Sequence, residues 1–232
     1  MKQFPRSLAV LATLATGLLT GGNALAVTNG DFTLNLVGWD ALGDASSQGG
    51  TALLTTAFDA SDDTGGNFNF SGVAAADAPV LETAAGLGAG TLSSTGWDGS
   101  LIQQSFAVNA GDTLQFNWNF LSNEPAQASS KPDFAFVVIN GTLTQLGSVA
   151  QATTQPGLNG FAAQTGWSTF SQTFASAGNV TLSLGVVDAE DVTVSSALLV
   201  DQVTLSAVPE PGALLLLGTG LVCSGWSRRR RR

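Results

Sequence analysis

Thr113-Leu114-Gln115-Phe116-Asn117-Trp118-Asn119-Phe120-Leu121 is the stretch that decides the fold of this 232-residue chain. Leu114, Phe116, Trp118 and Phe120 share one parity, and Gln115, Asn117 and Asn119 take the other. Side chains along a strand alternate between faces, so the pattern predicts a strand with one buried and one polar face. Upstream, Asn109-Ala110-Gly111-Asp112 supplies a turn back to an apolar run at 101–108. Downstream, 133–139 is apolar on both faces after its first residue, which predicts a central strand. Asn140-Gly141 is a hairpin signal leading into 142–146. Runs at 169–174, 180–187 and 197–205 complete the set. Short strands between turn residues, with few helical signals, predict an all-β antiparallel sandwich. The first half is less regular, and the Gly-rich stretches Gly43 to Gly50 and Gly86 to Gly90 read as loops.

Two apolar ends flank this region. Lys2 and Arg6, the run Leu8 to Leu19, and Ala24-Leu25-Ala26 have the order and spacing of a signal peptide over residues 1–26. At the other end, Pro209-Glu210-Pro211 interrupts the chain, Ala213 to Trp226 is almost wholly apolar, and Arg228, Arg229, Arg230, Arg231 and Arg232 close it. As a helix, 213–226 would span about 21 Å against a hydrocarbon core of about 30 Å, enough for transient membrane retention. The arginines would stay cytoplasmic under the positive-inside rule, leaving the domain at 27–207 outside.

That domain holds one lysine, Lys131, against sixteen acids, a formal charge of −15. A phosphate backbone needs a basic surface, so nucleic acid is excluded as a partner. The single cysteine, Cys223, lies in the apolar tail, so the domain has neither a disulfide nor a thiol nucleophile. His and Tyr are absent from the whole chain. The commonest general base and metal ligand are therefore missing, and the domain reads as a non-enzyme.

The three-part tail resembles the PEP-CTERM sorting signal of Gram-negative bacteria. The resemblance implies recognition and cleavage by the membrane-embedded enzyme exosortase, and delivery to the cell surface or an exopolysaccharide matrix. In the domain, Asn29-Gly30-Asp31-Phe32 followed by Trp39 resembles secreted jelly-roll domains, including carbohydrate-binding modules. So do Ser105-Phe106 through Gly111-Asp112-Thr113-Leu114, and Leu199-Val200-Asp201-Gln202-Val203-Thr204-Leu205. In such modules the opening motif and the last-strand Asp often help to hold calcium. The Glu that usually follows the Phe is Thr33 here.

Asp201 also draws notice from pattern alone. It shares parity with Leu199, Val203 and Leu205, so alternation places it on the apolar face. A buried carboxylate needs a counter-charge, and calcium suits oxygen ligands outside the cell. A bulge turning Asp201 outward is the other arrangement. Glu124 and Asp133 flank the loop Pro125 to Pro132 and are further metal candidates beside Asp31 and Asp201. Asp59, Asp62, Asp63 and Asn67 form one acidic loop, and Asp188, Glu190 and Asp191 another; both read as solvated turns. Of the aromatics, Trp118 lies in the core pattern, while Trp97 and Trp167 each follow a Gly near a strand start and are candidates for sugar stacking. The expected role is structural or adhesive at the envelope surface or in the matrix. A carbohydrate-binding module for exopolysaccharide is the first alternative, and a glycan hydrolase with paired carboxylates the second.

Overall fold

The computed structural model describes residues 27–63, 65–125, 132–189 and 194–207. The expected signal peptide at 1–26 and tail at 208–232 lie outside these residues. The chain forms β1 (Asp40–Leu42), β2 (Asp44–Gln48), β3 (Thr51–Thr55), β4 (Ala76–Asp77), α1 (Ala78–Ala85), β5 (Gly96–Val108), β6 (Thr113–Ser122) and β7 (Phe134–Ile139). It continues with β8 (Thr142–Ser148), β9 (Ala163–Gln164), β10 (Ser168–Thr173), β11 (Gly178–Ala189) and β12 (Ser196–Ser206).

Sheet A runs β1-β5-β11-β7-β8, with β4 also on β5, and sheet B runs β10-β6-β12-β3-β2, with β9 also on β6. Setting aside the first two strands and the two-residue ones, the remaining eight strands described run 1-8-3-6 in one sheet and 2-7-4-5 in the other. That order, antiparallel throughout, is a jelly roll. The expected sandwich is therefore the observed one.

The decisive strand behaves as its pattern requires. Leu114, Phe116 and Phe120 enter the core between the sheets, Trp118 packs against it, and Phe170 of β10 stacks on Phe116 at 4.9 Å between ring centroids. β7 is apolar on both faces because it is covered twice. Ala135, Val137 and Ile139 face sheet B, while Phe136 and Val138 meet Ala78, Leu81 and Ala85 of α1. A second satellite cluster, of Leu53, Leu121, Ala197 and Leu199 with Phe68 and Phe161, lies on the outer face of sheet B under two long loops.

Two expectations for the first half need correction. The stretch Gly43 to Gly50 is not all loop: β2 occupies 44–48, and only Gly49-Gly50, both at positive φ, form the turn into β3. The helix α1 was not foreseen from a region of few helical signals. It begins with Pro79 in its first turn and ends on Gly86 in the left-handed conformation. Glu82 ties it down. Its carboxylate accepts N–H bonds from Leu92 at 2.6 Å, Ser93 at 2.7 Å and Gly90 at 3.1 Å.

Candidate functional site

Asp31 and Asp201 come together where the N-terminal segment crosses β12. The Val203 N–H bonds the Gly30 carbonyl at 2.8 Å, and a Cβ on Gly30 would run into the Val203 carbonyl oxygen. Asn29 shapes the turn: its amide donates to the Asn35 and Val37 carbonyls, and its oxygen accepts the Leu34 N–H. Trp39 is buried here, donating to the Thr28 and Asn29 carbonyls, so it is a structural ring.

Asp201 does not sit on the core face. Leu198 and Val200 enter the core, Leu199 faces outward, and a register shift between Asp201 and Thr204 then returns Val203 to the core. Gln202, at φ 55°, is the residue that absorbs the bulge. Counting by twos across a bulge gives the wrong face, which corrects the alternation reading. Asp201 is half-buried, and its Oδ1 accepts the Gln202 N–H at 2.6 Å. Burial raises its pKa, the Gln202 N–H opposes the rise, and repulsion from Asp31 adds to it.

Glu124 and Asp133 are elsewhere. Asp201 pairs with Asn117, whereas Glu124 follows the far end of β6 at Ser122, about 17 Å along the strand. Both Glu124 and Asp133 are buried, and Asp133 Oδ1 accepts the Ala189 N–H at 2.8 Å. The four expected metal ligands thus divide between two places. Among the described residues no group of three or more acidic or other ligating side chains is arranged to hold a metal ion.

The end of the sandwich where β6 finishes and β7 begins gathers most of the acids. Asp44, Asp62, Asp63, Asp77, Asp98, Glu124, Asp133 and Asp188 all lie on strand ends or loops there. Some of them hold the outer loops in place. Asp44 is fully buried, accepts the Thr55 hydroxyl, and receives the Phe70 and Ser71 N–H groups at 3.0 and 2.7 Å. Asp63 receives the Asn123 amide at 3.0 Å and the Ser195 N–H at 3.2 Å, while Asn123 accepts the Ala162 N–H at 3.0 Å. Asp63 and Asn123 therefore pin loops together rather than standing free in solvent. Around them is a cleft of about 670 Å³, lined by Asp62, Asp63, Gly65, Phe68, Asn123 and Ala162 among others.

The other half of sheet B's outer face is open. Its residues include Gln115 and Asn117 on β6, Thr169, Ser171 and Thr173 on β10, and Asp201, Gln202 and Thr204 on β12. All are exposed except Asn117 and Asp201, which are half-buried. Asn117 is oriented from both sides, accepting the Thr169 hydroxyl at 2.8 Å and donating to Gln202 at 3.2 Å. Trp167 lies one residue before Ser168, which pairs with Trp118, so alternation puts Trp167 on this outer face opposite Asn119. It is 48% exposed. Trp97 is 62% exposed but belongs to β5 of the other sheet, so the two candidate rings do not share a platform. The amide and hydroxyl row was not singled out from sequence, although its parity opposite Phe116 and Trp118 was visible.

Residues 207–232 match the family model of the PEP-CTERM protein-sorting motif. The chain carries a PEP-CTERM tail. It is therefore an exported protein that is processed by an exosortase and sorted to the cell envelope. No curated protein matches the sequence. Among solved structures, the chain is similar to a CBM4 protein, at 15% identity and a TM-score of 0.33 over 78% of this chain and 98% of the other. It is similar to a Family 16 Carbohydrate Binding Module-2, at 12% identity and 0.32 over 78% and 99%. It also resembles the K3 adhesin domain of Lys-gingipain from Porphyromonas gingivalis, at 11% identity and 0.39 over 79% and 99%. At these values the likenesses concern the general fold only.

Proposed function

We propose that this PEP-CTERM protein is an adhesive, non-enzymatic component of the cell surface or extracellular matrix, and that it contacts neutral exopolysaccharide through the outer face of sheet B. One observation carries the reading. In a domain of formal charge −15, the exposed residues of β10, β6 and β12 on this face are amides and hydroxyls, bordered by the half-exposed Trp167. Amide and hydroxyl groups at strand spacing suit the hydroxyls of an extended glycan, and an indole suits the apolar face of a pyranose. A flat face of weak, repeated contacts fits adhesion to a polymer, where many modest sites act together.

Calcium held between Asp31 and Asp201 would serve the same protein as a stabiliser. The pair sits where the N-terminal segment clasps β12, and its mutual repulsion would be relieved by a cation.

Affinity electrophoresis through gels containing neutral exopolysaccharide tests the glycan reading. Trp167→Ala should weaken retention about tenfold, in line with losing one ring contact, while Trp97→Ala should leave it unchanged. Equal retention of wild type and Trp167→Ala would exclude this face as the binding surface.

A further inference from the structure

β12 ends at Ser206, paired with Thr113, and β5 ends at Val108, paired with Gly178. These pairings put the turns at 109–112, 140–141 and 174–177 at one end of the sandwich, opposite the acidic end. The only acid in these turns is Asp112, which is buried and accepts the Asn109 N–H at 2.8 Å. They contain no Lys or Arg. Ala110, Asn140, Gly141, Ala175, Ser176 and Ala177 are exposed there, and all are small and neutral. The N-terminal segment crosses between the sheets on the same side. It joins Val203 of β12 to Gln104 of β5, about 10 Å and about 13 Å along the strands from Ser206 and Val108. On this segment Leu34 and Val37 are 63% and 62% exposed, and Asp31 is exposed as well.

The sorting tail leaves from this neutral end on a very short tether. Only Ala207 and Val208 stand between Ser206 and Pro209. Three fully extended residues reach about 10 Å. β12 is the middle strand of the path β10-β6-β12-β3-β2. The chain therefore leaves from the centre of that sheet's end, with about 10 Å of sheet on either side. A tether of that length cannot swing the sandwich aside. Nor is the strand end loose: Leu205 packs against the core, and Ser206 still pairs with Thr113. A membrane-embedded enzyme that engages Pro209-Glu210-Pro211 thus meets the folded domain at the same time.

We propose that this neutral end is a docking face for the exosortase, which processes the chain with the sandwich folded and seated on the enzyme's outer rim. The acidic end then points away from the membrane. Charge favours that orientation, because an anionic lipid surface around the enzyme repels carboxylates within a Debye length. Small neutral turns allow close approach, and the exposed Leu34 and Val37 add apolar contact. The tether makes the seating intramolecular, so a weak contact suffices. The inference rests on the PEP-CTERM tail and does not depend on the glycan reading.

The test follows the full chain in the native host, reading how fast its intact mass loses the arginine tail after a pulse of synthesis. Ala110→Glu with Ser176→Glu places two carboxylates on the docking face, both at exposed turn positions. Processing of this double variant should slow at least about fivefold, whereas Ala60→Glu, exposed at the acidic end, should leave it unchanged. About ten Gly and Ser residues inserted between Ala207 and Val208 should bring the double variant to the rate of the wild type with the same insertion. In the wild type the insertion should not speed processing. A photoreactive phenylalanine analogue in place of Ala110 should crosslink to the exosortase, and one in place of Ala60 should not. That readout adds no charge and stands even where the double variant folds poorly. An unchanged rate in the double variant, a slowing that the insertion does not relieve, a wild type processed faster with the insertion, or no crosslink from position 110 would each overturn the docking face.

Discussion

At the scale of single residues, burial decides which of the many acids matter, and sequence gives little notice of it. Glu82 and Asp98 are both almost wholly buried, yet they behave in opposite ways. Burial disfavours the charge on Glu82, but the N–H groups of Ser93, Leu92 and Gly90 outweigh it and hold the carboxyl below its ordinary value. Its contribution is present above the unfolded pKa and is lost as pH falls through the lower folded pKa. Glu82→Gln should therefore destabilise the protein by about 1.5–3 kcal/mol at neutral pH, measurable by chemical denaturation. Asp98 has the reverse sign. Its folded pKa lies above its ordinary value of 3.8, so the folded state binds the extra proton. Stability in chelator should decline as pH rises from about 4 to about 7, by up to about 4 kcal/mol, and level off above. A pH series of Tm values should show this decline in the wild type and not in Asp98→Asn. Neither role was legible in the sequence. Asp98 is one Asp among many between Trp97 and Gly99, and Glu82 gains its partners only when the loop at 88–93 folds back on α1.

At the scale of elements, period-two patterning was legible wherever a strand is regular and covered on a defined face. Apart from the two-residue β9, the strands from β6 onward stand close to where their apolar runs put them, and β7 was readable as central because both its faces are apolar. The pattern failed in three places for three physical reasons. At β12 the bulge at Gln202 inverts the alternation, so Asp201 faces outward. At β2, a short edge strand of small polar residues has no apolar face to announce it. At α1, eight residues are too few to establish a helical period, and the helix is held by packing on β7 and by Glu82. The opening motif was legible as a unit, and Gly30 explains its glycine: the backbone crosses β12 with no room for a side chain. Gly30→Ala should therefore cost at least about 2 kcal/mol, through lost contact between the N-terminal segment and β12. Thermal unfolding would show it, and an unchanged Tm would mean that the clasp contributes nothing to stability.

At the scale of the whole molecule, the jelly roll separates two kinds of surface. One end concentrates carboxylates, several of them buried and fastening the outer loops. The open half of sheet B's outer face is hydroxyl- and amide-rich, carries the half-buried Asp201 opposite Asn117, and is bordered by Trp167. The PEP-CTERM tail was the most legible feature of all, because Pro-Glu-Pro, a short apolar run and terminal arginines are local in sequence. The binding face was not, because it is assembled from strands as distant as β6 and β12. A protein sorted to the envelope and adhering there through this face should be held by polysaccharide after its tail has been processed. The direct test is to express the wild type and Trp167→Ala in the native host, and to measure intact mass and abundance in the membrane, matrix and medium fractions. Both proteins should have lost the arginine tail, with the wild type retained in the matrix and Trp167→Ala shifted into the medium. Equal retention of the two, or a wild type still carrying Arg228 to Arg232 in the inner membrane, would contradict it.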